Sequence, residues 1–287
     1  PGGTWMIRKV GLECFTVCVL LLFAMSPCFR VHAAEPIRFV FNCEDKEVFP
    51  YWIGEGTDIV KPDGGVSYEL LKLIDERIDE IEIVFERYPW RRCQQNLKRG
   101  KADGIIGSVN SERLEIGAFP INNGVLDSSM YLNTQDYCLY TGMHTALAWD
   151  GHGFNMTKDI LIAVPRGYSI IPFLKEQHLE IYEVETAEAT LRMLGNGRVD
   201  GAVAPCLAME AALVDMPDVS RNVFLNPIPL EKRKYYIIMS RQFARRHPEL
   251  SRKIWRTARE VAAEYFDVLV ERYLQGRLKS RELTHVR

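Results

Sequence analysis

Beyond its first few dozen residues this 287-residue chain has no apolar run long enough to span a bilayer. It has no block of lysine and arginine, which argues against nucleic acid as a partner. Histidine is scarce: six are present, and His144, His152 and His178 form no recognisable base and nucleophile set. A Gly-x-Ser-x-Gly elbow is also missing, which counts against the common hydrolase arrangements. No cysteine belongs to a Cys-x-x-Cys pair or sits among histidines, so the usual zinc sites are not encoded and no cofactor is expected. Finally, no linker rich in glycine, proline or serine divides the chain.

What is there begins with a targeting segment. From Met6 the chain reads as a secretion signal: Arg8 and Lys9 are the positive start, Phe15 to Met25 is an eleven-residue apolar core, and Val31-His32-Ala33 offers a cleavage site. Residues 1–33 are therefore expected to be leader and signal peptide, cleaved near Ala33, which sends the rest to the periplasm or extracellular space. Their removal takes away Arg8, Lys9, Arg30 and Glu13 and leaves 33 basic against 37 acidic side chains, a formal charge of −4. About 254 residues remain, enough for two modest domains with a core each. Cys43, Cys93, Cys138 and Cys206 survive processing, and in an oxidising compartment they allow three disulfide pairings that sequence cannot rank. Cys43 ends the first expected strand and Cys93 enters the helix after the second. If those strands are neighbours, the two Cα atoms approach the roughly 4.4–6.8 Å that a disulfide needs, which makes Cys43 with Cys93 one candidate pair.

One segment occurs twice. LKRGKADGIIGS at 97–108 and LGNGRVDGAVAP at 194–205 share leucine, glycine, a cation, Asp-Gly and an apolar run in the same spacing. Each copy predicts a helix stopped at Gly100 or Gly197 by a left-handed glycine, then a turn into a short buried strand. Two such units, 97 residues apart, suit two similar α/β lobes and not a solenoid.

The path between them agrees. Ile37 to Phe41 is an expected strand, followed by a loop with Tyr51 and Trp52, a helix near Tyr68 to Ile78, a strand Ile81 to Phe85, and a helix started by Pro89. The order implies right-handed parallel crossovers whose loops open at the carboxyl edge of the sheet. Val125 to Met143 then turns extended, and a second series follows: strand Ile160 to Val164, turn Arg166 to Ser169, strand Ile181 to Val184, helix Ala187 to Leu194. Near Asn226 to Pro229 the chain is extended again. Tyr235 to Met239 is a strand, and a helix of about Pro248 to Leu274 closes the sequence. Two extended crossings place residues 34–134 and 231–287 in one lobe and residues 135–230 in an inserted second lobe.

With these features in view, RYPWRRCQQNLKRGKADGIIGSVNSER at 87–113 resembles the extracellular solute-binding proteins of family 3, the amino-acid-type receptors of bacterial ABC importers. FPYWIG at 49–54, GVSYELLKLI at 65–74, DILIAVPRGYS at 159–169 and KYYIIMSRQF at 234–243 extend the likeness over nearly all of the mature chain. The resemblance implies an α/β type II periplasmic-binding fold, two α/β lobes joined by two extended hinge crossings, that closes on a small polar ligand. It further implies a monomer that hands its ligand to a membrane permease.

In such a cleft Tyr51 and Trp52 offer flat apolar walls. Trp90 offers a stacking face and Arg91 a cation, while Ser108 and Asn110 supply hydroxyl, amide and N–H groups. The family places an arginine after Thr/Ser-x-Glu on the ligand's carboxylate, which corresponds here to Arg113. Gly167, Tyr168 and Ser169 occupy the second-lobe turn that donates to the same group. Each has a plainer reading: core aromatics, a solvated Arg91, an ion pair of Arg113 with Glu112 or Glu115, a capping Ser169. The second repeat strand in the family ends in an acid for the ligand's ammonium, and Pro205 stands there instead. Glu44 or Asp45 is the candidate substitute. Two other uses of the fold compete: a periplasmic enzyme of the prephenate or arogenate dehydratase type, and a ligand-sensing partner of a membrane receptor.

Overall fold

The computed structural model describes residues 35–143, 145–155 and 159–285, with side chains as far as Arg277. The leader and signal peptide expected over residues 1–33 lie outside that range, as does His144. The first half runs β1 (Ile37–Glu44), α1 (Val66–Arg77), β2 (Ile81–Tyr88), α2 (Trp90–Lys98), β3 (Gly104–Ser108) and α3 (Ser111–Ile116). Three short strands, β4 (Gly117–Ala118), β5 (Ile121–Asn122) and β6 (Val125–Leu126), lead to the long β7 (Asn133–Gly142). After β8 (Ala148–Trp149) and β9 (Phe154–Asn155) the plan repeats as β10 (Leu161–Pro165), α4 (Ile171–Glu176), β11 (Glu180–Val184), α5 (Ala187–Gly195) and β12 (Gly201–Pro205). Then come α6 (Cys206–Val214), α7 (Pro217–Ser220), β13 (Val223–Leu225), the returning strand β14 (Glu231–Ser240), α8 (Arg241–Arg246) and α9 (Pro248–His285).

The principal sheet takes the order β11-β10-β12-β7-β14-β3-β1-β2. It is nearly symmetric, because β1 lies between β2 and β3 and β10 lies between β11 and β12, all parallel. The two parallel triplets meet through β7 and β14, which run antiparallel and pair from Glu231 with Tyr137 to Tyr235 with Asn133. Beyond that stretch β7 joins β12 and β14 joins β3, so these two strands carry the chain across and back.

The sequence repeat has a physical basis. Gly100 and Gly197 both adopt positive φ, +67° and +64°, past the ends of α2 and α5. Asp103 accepts from the Val40 N–H at 3.0 Å while its own N–H donates to the Val40 carbonyl at 2.7 Å. Asp200 does the same to Leu161, at 3.0 and 2.8 Å. In each half the aspartate locks the repeat strand beside the first strand of its triplet. On α1, Val66, Leu70 and Ile74 follow the four-residue spacing that puts one stripe on the sheet. All three are fully buried, each burial being worth about 1.5–3 kcal/mol. Ile254, Ala258 and Val261 of α9 join the same core.

Two of the longer helices depart from expectation. Helix α6 was not anticipated, because CLAMEAALV is apolar on nearly every side and shows no helical stripe. Helix α9 continues to His285, beyond the expected end near Leu274, since Gly276 sits among good helix formers that sustain it.

The disulfide also differs. Cys138 is bonded to Cys206 with a Cα separation of 4.9 Å, and Cys43 and Cys93 are buried free thiols. Distance is not what prevents the expected pair, because the Cys93 thiol lies 3.3 Å from the Cys43 carbonyl oxygen. Side-chain parity prevents it: side chains alternate across a strand. Cys43 shares the face of Phe39 and Phe41, while Asn42, on the other face, accepts from Asn96 of α2 at 2.8 Å. Cys93 belongs to α2 and packs on that second face. Burial pushes both thiols far above the usual range, so neither is a ready thiolate.

Candidate functional site

The site forms where β1, β3 and β12 end beside the crossing strands. From Glu44 the chain enters a loop whose shape is set by a buried cation. Arg87 of β2, 3% exposed, donates from Nε to the Glu44 carbonyl at 2.8 Å, from Nη1 to Ile53 and Asp58 carbonyls at 3.1 and 3.2 Å, and from Nη2 to the Gly54 carbonyl at 2.6 Å. A buried guanidinium with its donors unpaired costs several kcal/mol. Those carbonyls are thereby held together, and with them Glu44, Tyr51 and Trp52.

The second wall is α3. The Asn110 side chain caps it by accepting from the Arg113 N–H at 2.8 Å. Arg113 turns back over β3, where Nη1 donates to the Ser108 carbonyl and hydroxyl oxygens at 2.9 and 3.0 Å, and its guanidinium lies 5.1 Å from the Trp90 ring centre. It is 3% exposed, and its Nε–H is buried without a partner. Burial lowers its pKa, yet a guanidinium remains charged at neutral pH.

From the second half comes the turn after β10. Gly167 has φ +74° and passes so close to α2 that a Cβ would meet Arg91 Nε at 3.0 Å. Its carbonyl accepts from Trp90 Nε1 at 3.2 Å and from Arg113 Nη2 at 3.3 Å. Ser169 and Ser108 share a hydrogen bond of 2.6 Å, and the Tyr168 hydroxyl donates to Glu44 Oε1 at 3.3 Å. The two halves thus meet through the residues that the sequence singled out.

Between them lies a cavity of about 40 Å³. Tyr51, Trp52, Trp90, Arg113 and Tyr168 line it, Ser108 and Gly167 accept from Arg113 in its wall, and Ser169 lies one bond further back on Ser108. Two expected residues have other places. Arg91 faces a separate mouth pocket of about 380 Å³, where it pairs with Glu183 at 3.3 Å and Glu112 at 3.6 Å. The Asn110 amide oxygen is engaged as the α3 cap. Several lining residues were missed: Ser67, Gln135, Tyr137 and Tyr235, the last two joined by a 2.9 Å bond between their hydroxyls. A signal did exist for β7, where Asn133, Gln135 and Tyr137 alternate as buried polar positions along one strand face.

Glu44 lines both the cavity and the mouth pocket. Burial raises its carboxyl to about 7, against the Tyr168 hydrogen bond and the Arg113 charge, which pull the other way. Burial also lifts the Tyr51, Tyr168 and Tyr235 hydroxyls well above the phenol range, so they stay protonated and able to donate. Pro205 is on the wall and brings no charge. The arrangement offers a cation with a spare N–H, neutral phenolic donors, aromatic faces and one carboxyl group.

No protein-family model and no curated relative matches the chain. Solved structures do. A histidine kinase sensor domain with similarity to periplasmic binding proteins has TM-score 0.64 at 16% identity, over 83% of this chain and 96% of its own. AbpA, an amino acid ABC transporter substrate-binding protein from Streptococcus pneumoniae bound to L-arginine, has TM-score 0.63 at 16% identity, over 85% and 96%. The ancestral amino acid-binding protein AncCDT-1, a precursor of cyclohexadienyl dehydratase, has TM-score 0.58 at 15% identity, over 82% and 94%. No helix among the described residues is long and apolar enough to cross a membrane. Two parallel triplets joined by two antiparallel crossing strands, together with these neighbours, give this chain the type II periplasmic-binding fold of the solute-binding proteins that its sequence resembles.

Proposed function

We propose that the protein is a secreted solute receptor whose two lobes, residues 34–134 with 231–287 and residues 135–230, close on a small carboxylate-bearing ligand and deliver it to an ABC importer. Arg113 carries the reading. It is a buried cation whose bonds reach only neutral oxygens and whose Nε–H has no partner. Such a group is costly to keep unless an anion joins it, and a carboxylate matches its fork in two parallel bonds. A thermal-shift screen of amino acids and small carboxylates, followed by calorimetry on wild type and Arg113→Gln, tests this. Arg113→Gln is expected to weaken binding about a hundredfold, or about 2.7 kcal/mol; equal affinities would remove Arg113 from the site.

Delivery is supported by the likeness to AbpA, and docking on a membrane receptor by the likeness to a sensor domain. Loss of ligand uptake on deleting the gene supports delivery; intact uptake with a lost transcriptional response supports sensing. The enzymatic alternative has one observation in its favour, since a carboxyl near 7 in the cavity could protonate a departing hydroxyl. Incubation with prephenate and arogenate without product would leave binding as the role of the site.

A further inference from the structure

We propose that Arg277, near the end of α9, latches the two lobes together from outside the cavity, so that an ionic contact remote from the ligand helps to set the balance between open and closed forms. This rests on the two-lobe part of the receptor reading and goes beyond it, because the cavity accounts for what is bound and not for how readily the lobes part.

The latch grows out of the way α9 is anchored. Ile254, Ala258, Val261 and Leu269 pack the helix into the core of the first half. Further along, the Tyr273 hydroxyl accepts from the Gly65 N–H at 3.0 Å and donates to Glu69 in the first turn of α1, and Arg272 pairs with the same carboxylate. These bonds fix the helix to the first half as far as Tyr273. Arg277 follows four residues later, on the same side of the helix. There Nη1 donates to Glu47 Oε1 at 3.0 Å, Nη2 donates to an Asp215 carboxylate oxygen, and the guanidinium lies 4.5 Å from the Phe49 ring centre.

The partners of Arg277 belong to different halves. Glu47 and Phe49 lie in the loop after β1, and Glu47 Oε2 accepts from the Gly54 N–H at 3.1 Å, so this arm ends in the loop that carries Tyr51 and Trp52. Asp215 follows the last residue of α6, a helix held in the second half by Met209, which packs with Leu191 and Ala204, and by the Cys138–Cys206 bond at its first residue. One guanidinium therefore joins the first half to the second. Arg277, Glu47, Phe49 and Asp215 together border two clefts of about 620 and 270 Å³, and none of the four lines the inner cavity. Closing the lobes is part of the cost of binding any ligand, so such a contact changes all affinities by one factor and leaves selectivity alone. Asp215 is exposed, which keeps the share of the latch modest.

Nitroxide labels at Glu82→Cys and Glu180→Cys, exposed on the outermost strands β2 and β11, report the separation of the halves by pulsed electron spin resonance. In the mature chain without ligand, Asp215→Asn and Arg277→Gln are each expected to raise the ratio of long to short separations about two- to fivefold over wild type. The double variant should open no further than Arg277→Gln alone, because both changes remove one contact. An unchanged separation in either single variant, or opening in the double variant equal to the product of the two single effects, would overturn the latch. Arg113→Gln, which removes the cavity-side bond from Arg113 to the Gly167 carbonyl, tells the two failures apart. If it opens the lobes while the latch variants do not, the latch alone falls; if no variant changes the separation, the two-lobe receptor reading falls with it.

Discussion

Replacing Glu44 with glutamine should stabilise the protein without ligand at pH 8, an uncommon direction for a change inside a cavity. The reason is the energy of keeping a carboxylate among Tyr168, Trp90 and Tyr51. Burial moves the carboxyl from 4.5 to about 7. Below pH 4.5 it is neutral in both folded and unfolded chains and costs nothing. Between pH 4.5 and 7 the unfolded chain ionises first and the native state holds the extra proton, so stability falls as pH rises. Above pH 7 the full cost applies, about 3 kcal/mol at about 1.4 kcal/mol per pH unit. That figure is an upper one, because Glu44 is half-buried and opening the cleft would rehydrate it. Glutamine has the same shape, still accepts from the Tyr168 hydroxyl and carries no charge. Urea unfolding of both proteins at pH 5 and pH 8 isolates the effect, since other titrating groups cancel between them. The gain is expected to be under about 1 kcal/mol at pH 5 and between about 1 and 3 kcal/mol at pH 8. A gain independent of pH, or a loss at pH 8, would refute the reasoning.

Other consequences concern the frame around the site. The Cys138–Cys206 bond spans 68 residues, and removing it by a double serine substitution should cost about 4 kcal/mol by loop entropy, read from the urea midpoint. Non-reducing peptide mapping should find that pair linked, with Cys43 and Cys93 alkylated only after unfolding; a Cys43–Cys93 peptide would contradict the structure. Gly104→Ala sets a Cβ 2.6 Å from the rigid Phe39 ring and should cost about 2–3 kcal/mol, whereas at Gly201 the nearest atom, at 2.7 Å, is the mobile Ile162 Cδ1 and the cost should be about 1 kcal/mol. Thermal unfolding of both variants checks the order; equal melting temperatures would show that the Phe39 ring yields.

Much of this protein is local and therefore readable in one dimension. A left-handed glycine after a helix, an aspartate before a buried strand and an apolar residue every fourth position depend on near neighbours, which is why the repeat at Gly100 to Gly104 and Gly197 to Gly201 exposes two alike halves. Tyr51, Trp52, Trp90, Arg113 and Tyr168 line one cavity because they lie in motifs at strand ends, where loops of this topology converge. Arg91 and Asn110 sit in the same motifs but do not line that cavity: Arg91 pairs with Glu183 and the Asn110 side chain caps α3. What remained hidden needed partners distant in sequence. Arg87 is an ordinary strand cation until carbonyls from residues 44 to 58 fold around it, and Tyr137 and Tyr235 meet only through the register of β7 with β14. Cys43 and Cys93 come close and still do not bond, because the pleat of β1 puts its thiol on the face away from α2. The sequence by itself determined two similar α/β halves and a cleft with an arginine in it. Only the tertiary structure decided which acid shares that cleft, because placement on the cavity wall with Arg113 and a hydrogen bond from Tyr168, and not residue type, separates Glu44 from its neighbour Asp45.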